Sequence, residues 1–372
     1  MTDNIFVFII FIIFSFSALI QLIYYWKVYG SFAFYNKKQI SGSGQGVSVV
    51  ISARNEYINL KKNLPIILEQ DYPDFEVVVV NDSSTDDSND LLEDFSKKYD
   101  NLKVVELKEN LNFFSGKKFP LSLGIKSAKN ELIILTDADC RPKSSKWICL
   151  IEANFSNNKK IILAYGGYEK RKGLLNKIIR FDTIQIAIQY FSFALIGKPY
   201  MGVGRNLAYS KSLFYKNKGF ISHYKINSGD DDLFINSVAD KQNTSVEFRP
   251  ESHTTSVPET SFSRWMKQKR RHLLTGKYYK MKFKILLGGF SLSQGLFYLT
   301  FIFLLANLYN IIIVLSVYLV RLLSQLFIMK KSFNQLEEKE LIWFSPIFEI
   351  FFMLMIPFFS FTNIFIKQKK WK

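Results

Sequence analysis

Two carboxylates one residue apart, Asp137 and Asp139, follow the run Glu131-Leu-Ile-Ile-Leu-Thr136. A short apolar run of this kind suits a buried strand, and the end of such a strand is where polar side chains emerge into a cleft. Mg2+ and Mn2+ take hard oxygen ligands and commonly hold a substrate's phosphates through only one or two protein carboxylates. Asp-x-Asp at a strand end is therefore sufficient chemistry for a divalent metal. Taken alone, the pattern also fits an ordinary turn whose Asp side chains accept from nearby backbone amides.

The elements that must position these carboxylates are legible around them. After Ser41-Gly-Ser-Gly-Gln-Gly46, a linker by composition, β-branched or apolar runs at 47–53, 75–80, 103–107 and 131–136 alternate with helical stretches at 56–69, 91–99 and 121–129. Such alternation predicts an α/β domain with a parallel or mostly parallel sheet, which binds ligands outside the carboxyl ends of its strands. Three polar clusters then converge on one edge: Arg54-Asn55-Glu56, Asn81-Asp82 and Asp137-Ala138-Asp139. Acidic and amide groups there suit a ribose, a base and a metal better than bare phosphate. The Gly-x-Gly-x-x-Gly fingerprint of a dinucleotide fold does not follow the first strand.

Hydrophobic residues make up 48% of the 372, and they concentrate at the two ends. Residues 5–26 are a nearly unbroken apolar stretch closed by Tyr24, Tyr25 and Trp26, which predicts a retained membrane anchor over 1–26. Further apolar segments at 285–306, 308–329 and 341–365 predict C-terminal transmembrane helices within 284–366. The first of them, with Gly288, Gly289 and Gly295, reads as a simple span or as a packed or partly re-entrant helix. Counting Lys and Arg places the central domain, 47–283, in the cytoplasm. The basic tail at 367–372 asks for the same side, against four full crossings.

The formal net charge of +17 raises the question of nucleic acid. The basic runs at 267–272, 277–284 and 367–372 all adjoin apolar segments, however, where Lys and Arg meet anionic headgroups, so membrane lipids are the expected partner and nucleic acid is not. Cys140 and Cys149 are too few for a disulfide framework and lack the companions of a zinc site.

Seven motifs in order carry a resemblance. They are Val47-Ser-Val-Val-Ile-Ser-Ala-Arg-Asn-Glu56, Asp71-Tyr-Pro73 leading to Val80-Asn-Asp-Ser-Ser-Thr-Asp86, Gly116-Lys117, Thr136-Asp-Ala-Asp139, Gly202-Val-Gly-Arg-Asn206, Gly229-Asp-Asp-Asp-Leu233 and Gln268-Lys-Arg-Arg-His272. In this the chain resembles the family 2 glycosyltransferases, membrane-associated enzymes whose catalytic domain has the GT-A fold. The resemblance implies an inverting, metal-dependent transfer from a nucleotide sugar, UDP-linked by preference, to a lipid-linked or saccharide acceptor in glycolipid or cell-surface polysaccharide synthesis. It implies that Glu56 and Asp82 contact the nucleoside, that Lys117 approaches the nucleotide, and that Asp137 and Asp139 bind the sugar diphosphate through Mg2+ or Mn2+. Asp82 reads equally as an Asx-turn or cap residue, and Lys117 as a surface lysine.

Matching the family's Glu-Asp pair to Asp230-Asp231 makes Asp231 the catalytic base. Asp232 then serves the dipole of a following helix. Arg205, Asn206, Asp230, Gln268, Arg271 and His272 fall on the acceptor or diphosphate side. His272 stands where the family has tryptophan, which counts against processive polymerisation, and reads more readily as a structural hydrogen-bonding residue than as an acid or base. The stretch 264–280 reads as an interfacial helix with Trp265 and Met266 toward lipid and its basic residues toward headgroups. The rivals are a processive polysaccharide synthase and a non-catalytic membrane-bound protein that binds an anionic ligand. Richness in Lys, Asn, Ile and Phe hints at an AT-rich bacterial genome, hence an inner-membrane protein.

Overall fold

The computed structural model describes residues 2–37, 41–107, 116–226 and 228–365, so the basic tail lies outside the described residues. The chain divides into two units, one of Met1–Asn36 with Tyr279–Ile366 and one centred on Lys37–Tyr278. The first opens with α1 (Thr2–Ile23), which runs through a π-helical stretch, Tyr24–Tyr29, into α2 (Gly30–Ala33).

The second unit begins with the expected alternation: β1 (Val47–Ala53), α3 (Tyr57–Leu68), β2 (Phe75–Asp82), α4 (Ser88–Lys98), β3 (Leu102–Leu107), α5 (Lys118–Ser127) and β4 (Leu132–Asp137). Asp82 and Asp137 are thus the last residues of their strands. Helix α5 starts ahead of the expected Leu121 because Pro120 lies in its first turn, where no intrahelical N–H is lost. The order continues as β5 (Cys140–Pro142), α6 (Trp147–Glu152), β6 (Ile161–Ala164), β7 (Gly166–Tyr168), α7 (Leu174–Leu195), β8 (Leu207–Ser210), α8 (Lys211–Lys216), α9 (Asp232–Val238), β9 (Thr244–Glu247), β10 (Thr254–Ser256) and α10 (Phe262–Leu273).

The main sheet has the order β3-β2-β1-β4-β8-β6-β9 and is parallel except that β8 runs against both β4 and β6. A small sheet, β5-β10-β7, accompanies it. Central strands covered on both faces read as continuous apolar runs, and Val77 to Val80 of β2 and Leu132 to Ile134 of β4 are fully buried. Leu60, Leu64, Ile67 and Leu68 of α3 pack into the core that these strands share. Helix α5 approaches so closely that a Cβ at Gly124 would stand 2.5 Å from Val50 Cγ1 and 2.9 Å from Val80 Cγ2. Strand β1 has β2 on one side and β4 on the other, which opens a crevice at their carboxyl ends. Because β8 is antiparallel, its amino end faces the same edge, and Gly202 to Asn206 arrive there with it.

The first unit resumes with α11 (Met281–Ala306), α12 (Ile311–Gln335), a 3-10 turn at Lys339–Phe344 and α13 (Ser345–Phe365). Four segments are long and apolar enough to cross a membrane: Ile5–Ala33, Met281–Ala306, Ile311–Gln335 and Lys339–Thr362. Helix α11 is continuous over 26 residues, and a Cβ at Gly288, Gly289 or Gly295 would meet nothing within 4 Å. These glycines do not break the helix. Helix α12 starts later than expected because the chain turns through left-handed backbone at Leu308 and Asn310.

Apolar packing, such as Phe14 stacked on Phe297 at 5.0 Å, surrounds one charged centre. Arg321, fully buried, pairs with Glu349 and donates to Gln21 Oε1 at 2.8 Å, Gln325 Oε1 at 2.5 Å and Tyr25 Oη at 3.0 Å. Gln294 and Tyr298 donate to Glu349 at 2.6 and 3.0 Å. Every long helix of the unit thus contributes to one saturated network. Removing one charge strands the other, a loss of about 3–5 kcal/mol, whereas removing both is far milder. Arg321→Met is expected to lower the melting temperature of the detergent-solubilised protein strongly, and Arg321→Met with Glu349→Leu to recover much of that loss.

Candidate active site

The crevice at the carboxyl ends of β1, β2 and β4 is built first by its loops. Asn55, in left-handed backbone at φ 56°, accepts the Thr85 N–H at 2.7 Å and donates its own N–H to Ser84 at 2.9 Å. The Tyr57 N–H reaches Asp86 at 3.1 Å, so the loops after β1 and β2 are tied together. This fixes Glu56, whose carboxylate accepts from Asn59 at 2.6 Å, and Asp82, which faces Arg54 at 3.9 Å. Asp82 caps no helix, since the N-cap of α4 is Asp87. Burial raises both carboxyls; Asp139 and Asp137 add to the effect at Glu56, while Arg54 offsets it at Asp82.

Asp137 and Asp139 stand beyond them, with the Cys140 thiol, as a group whose ligand atoms lie within 4.8 Å of one another. Lys117 forms an ion pair with Asp137 and is no surface lysine. Burial opposes the Asp137 charge, but Lys117, Arg205 and Arg271 hold its carboxyl below the usual range. Asp139 accepts from Ser256 of β10 at 2.7 Å and is raised by burial and by Asp137. A divalent cation relieves such like-charge repulsion, and two carboxylates are a donor set suited to Mg2+ or Mn2+. Cys140, fully buried and with its thiol pushed up by burial, is not the ligand a hard cation selects.

Across the crevice lies Asp231, which accepts the Gly204 N–H at 2.8 Å on one oxygen and the Asp232 N–H at 2.7 Å on the other. Burial, with Asp230 and Asp232 on either side, pushes its carboxyl up to about 7 although both amides favour the ionised form. Arg205 lies over the Tyr168 ring at 4.2 Å, and its carbonyl takes the hydroxyls of Thr136 and Thr254 at 3.0 and 2.9 Å. A carboxylate pair, a cation beside it and a separate carboxylate poised near neutrality can bind a diphosphate and accept a proton.

Comparison with known proteins agrees with this arrangement. Residues 48–218 match the family described as "Glycosyl transferase family 2". Over those residues the chain is similar to that family. It is 28% identical over 249 residues to the probable glycosyltransferase YdaM of Bacillus subtilis, covering 64% of this chain and 56% of that protein. It is 30% identical over 145 residues to the poly-beta-1,6-N-acetyl-D-glucosamine synthase of Staphylococcus epidermidis, covering 38% of this chain and 33% of the synthase. The chain therefore spans about half the length of the first relative and a third of the second. In fold it is similar to the mannosyltransferase PcManGT of Pyrobaculum calidifontis, solved with GDP-Man and Mn2+, at a TM-score of 0.57 and 17% identity over 94% of this chain and 98% of that one. The chain thus carries the GT-A type of α/β fold.

Three expectations need correction. Asn206 does not reach the crevice: it is fully buried, donates to the carbonyls of Tyr165 and Ser252 at 2.8 and 2.9 Å, and accepts the Trp147 indole N–H at 3.0 Å. Asp232 stands in the first turn of α9, as expected for a residue that serves the helix dipole; it is also buried and accepts the Thr275 hydroxyl, and Asp231 is the N-cap. Trp265 faces inward at 2% exposure, which leaves Phe262, Arg264 and Lys267 on the outer face of α10. Lys269 is also buried, paired with Asp182 of α7 at 2.5 Å, because the helix turns this side toward the domain. The His272 ring is exposed and makes no hydrogen bond among the described residues; its carbonyl takes the Thr275 hydroxyl at 2.8 Å. Arg271 bears on Asp137 electrostatically, and Gln268 is half-buried on the same helix.

Ser256, Tyr168 and Lys118 were not foreseen. Ser256 lies 117 residues beyond Asp139, and only the pairing of β10 with β5 brings it back. The Asn206 network predicts a structural phenotype. Asn206→Leu leaves the Trp147 indole N–H and the Ser252 carbonyl unpaired, while the Tyr165 carbonyl keeps the Thr254 N–H at 3.1 Å, at a cost of about 2–4 kcal/mol, with little effect on binding. Unfolding followed by tryptophan fluorescence, beside the affinity for UDP with Mn2+, tests this.

Proposed function

We propose that this chain is a cytoplasm-facing, metal-dependent, inverting glycosyltransferase of family 2. It takes a nucleotide sugar, best a UDP-sugar, and passes the sugar to a saccharide or lipid-linked acceptor at a membrane, as an inner-membrane protein of a bacterium. Four segments long and apolar enough to cross a membrane support the setting, and the Lys and Arg distribution supports the orientation. The GDP-Man and Mn2+ held by PcManGT and the polysaccharide product named for the Staphylococcus synthase support the donor class and acceptor class.

The single observation that carries the mechanism is Asp231, fixed by two backbone amides and raised to about 7. Each of its oxygens keeps a lone pair for an acceptor hydroxyl. In the transfer the acceptor oxygen attacks the anomeric carbon, the bond from that carbon to the diphosphate breaks on the opposite face, and Asp231 takes the hydroxyl proton. Lys117, Arg205 and Arg271 meet the charge that grows on the diphosphate. A divalent ion held by Asp139 and Asp137 would supply further positive charge to the same leaving group.

Metal-dependent nucleotide release from a panel of UDP- and GDP-sugars by the purified full chain tests the reading, and product length separates a single transfer from polymerisation. Asp139→Ala should weaken Mn2+-dependent binding of UDP by more than about tenfold with the fold intact, and unchanged affinity in manganese removes Asp139 from that role. Asp231→Asn should lower turnover by about a hundredfold or more at saturating donor, because the acceptor proton loses its destination. A base acts when ionised. The wild-type rate should therefore rise with pH through about 7, the value to which Asp231 is pushed, and Asp231→Asn should lose this limb. A flat profile in the wild type would mean a different base.

A further inference from the structure

Lys117 and Lys118 are consecutive, yet their ammonium groups serve opposite sides of the crevice. Lys117 meets Asp137. Lys118, 5% exposed, turns the other way and donates to the carbonyls of His223 at 2.7 Å, Ile226 at 2.7 Å and Ser228 at 2.8 Å. An ammonium has three protons, and all three are spent on the main chain of one loop.

That loop leads directly to Asp230 and Asp231. Its described residues form no strand, and their internal backbone bonds are short-range ones such as Ile226 to His223 at 3.1 Å. It then passes through Gly229 at φ +97°, where the Leu233 side chain stands 2.5 Å from a Cβ that would replace the glycine hydrogen, and enters α9 at its Asp231 cap. A loop of this kind has few ways to hold three inward carbonyls. One buried cation satisfies them together, and charge-assisted hydrogen bonds are the strong ones. Asp230, Asp232 and Asp231 face Lys118 from the loop and α9, and the buried His223 faces it from a 3-10 turn at Ile221–His223; burial lowers the Lys118 ammonium to about 8 against the pull of the three aspartates, so it remains charged at neutral pH.

We propose that Lys118 is a positioning residue that sets the place of Asp231 by clamping the loop 223–228, so that one dipeptide, Lys117-Lys118, references the donor carboxylate and the proton acceptor to the same helix end. The proposal rests on the reading of Asp231 as the base. A shift of the loop by an ångström moves the carboxylate away from the acceptor hydroxyl while leaving Asp137 and Asp139 in place.

The test uses the detergent-solubilised full chain with UDP and Mn2+ as the binding probe, nucleotide release from the sugar nucleotide chosen in the panel as the rate, and hydrogen–deuterium exchange as the structural readout. Lys118→Met is expected to lower the release rate by about tenfold or more at saturating donor, the scale set by small misplacements in an active site, with UDP affinity within about twofold of wild type. Exchange should quicken in the peptide covering 221–229 and stay unchanged in β4. Lys118→Arg keeps the charge but cannot place three donors from one nitrogen, so it should fall between the two; it decides the matter alone where Lys118→Met fails to fold. Wild-type exchange and release in the variants, or UDP affinity that falls in step with release, overturns the proposal. Asp231→Asn in the same assay keeps the two readings apart: full turnover there removes the base assignment, while the exchange result still reports on the clamp.

Discussion

The arrangement of this domain follows from having to gather like charges. Glu56, Asp82, Asp137, Asp139, Asp230, Asp231 and Asp232 all reach one edge of one sheet, partly or wholly out of water, and neighbouring carboxylates disfavour the ionisation of Glu56, Asp139 and Asp231. The cations are placed unevenly among them. Lys117, Arg205 and Arg271 gather on Asp137, which is held low, whereas burial and neighbouring carboxylates raise Glu56, Asp139 and Asp231. An edge of one chemical type is thereby divided into a carboxylate held low and one poised near neutrality.

Neutral groups hold this division in place. Asn206 joins the carbonyls of Tyr165 and Ser252 to the Trp147 indole in the core beneath Arg205, and Ser256 orients Asp139 from the small sheet. The Asn55 and Thr85 contact ties the two loops that carry Glu56 and Asp82. Each contact is worth about 1 kcal/mol, but together they restrict where the carboxylates can move.

The helical unit meets the same problem with a different solution. Arg321 and Glu349 are buried among aromatic rings, and Gln21, Tyr25, Gln294, Tyr298 and Gln325 occupy the remaining donors and acceptors of the pair. Apolar side chains cannot specify register among helices by themselves, because lipid tails are as apolar as leucine. A saturated ionic centre supplies a register.

The first four strands, their helices and the apolar segments were legible in the sequence, because periodicity and β-branched runs are local signals. So was the polar cluster at each of the first strand ends, since an α/β sheet delivers strand ends to one edge. The antiparallel β8, the small sheet and the long α7 were not legible, for their strands are short and pair across large separations. Asn206 and Asp231 both lie in polar motifs, yet one is a core brace and the other a cap with an exposed lone pair; residue type cannot separate them. Which of two adjacent lysines turns to Asp137 and which to a loop more than a hundred residues away is likewise decided by the approach of α5 to the sheet. The sequence by itself determined the elements and the chemical kinds of group at one edge. Only the tertiary structure decided which of those groups are dry, which are paired and which carboxylate stands near neutrality, because burial and pairing depend on neighbours that the chain brings from afar.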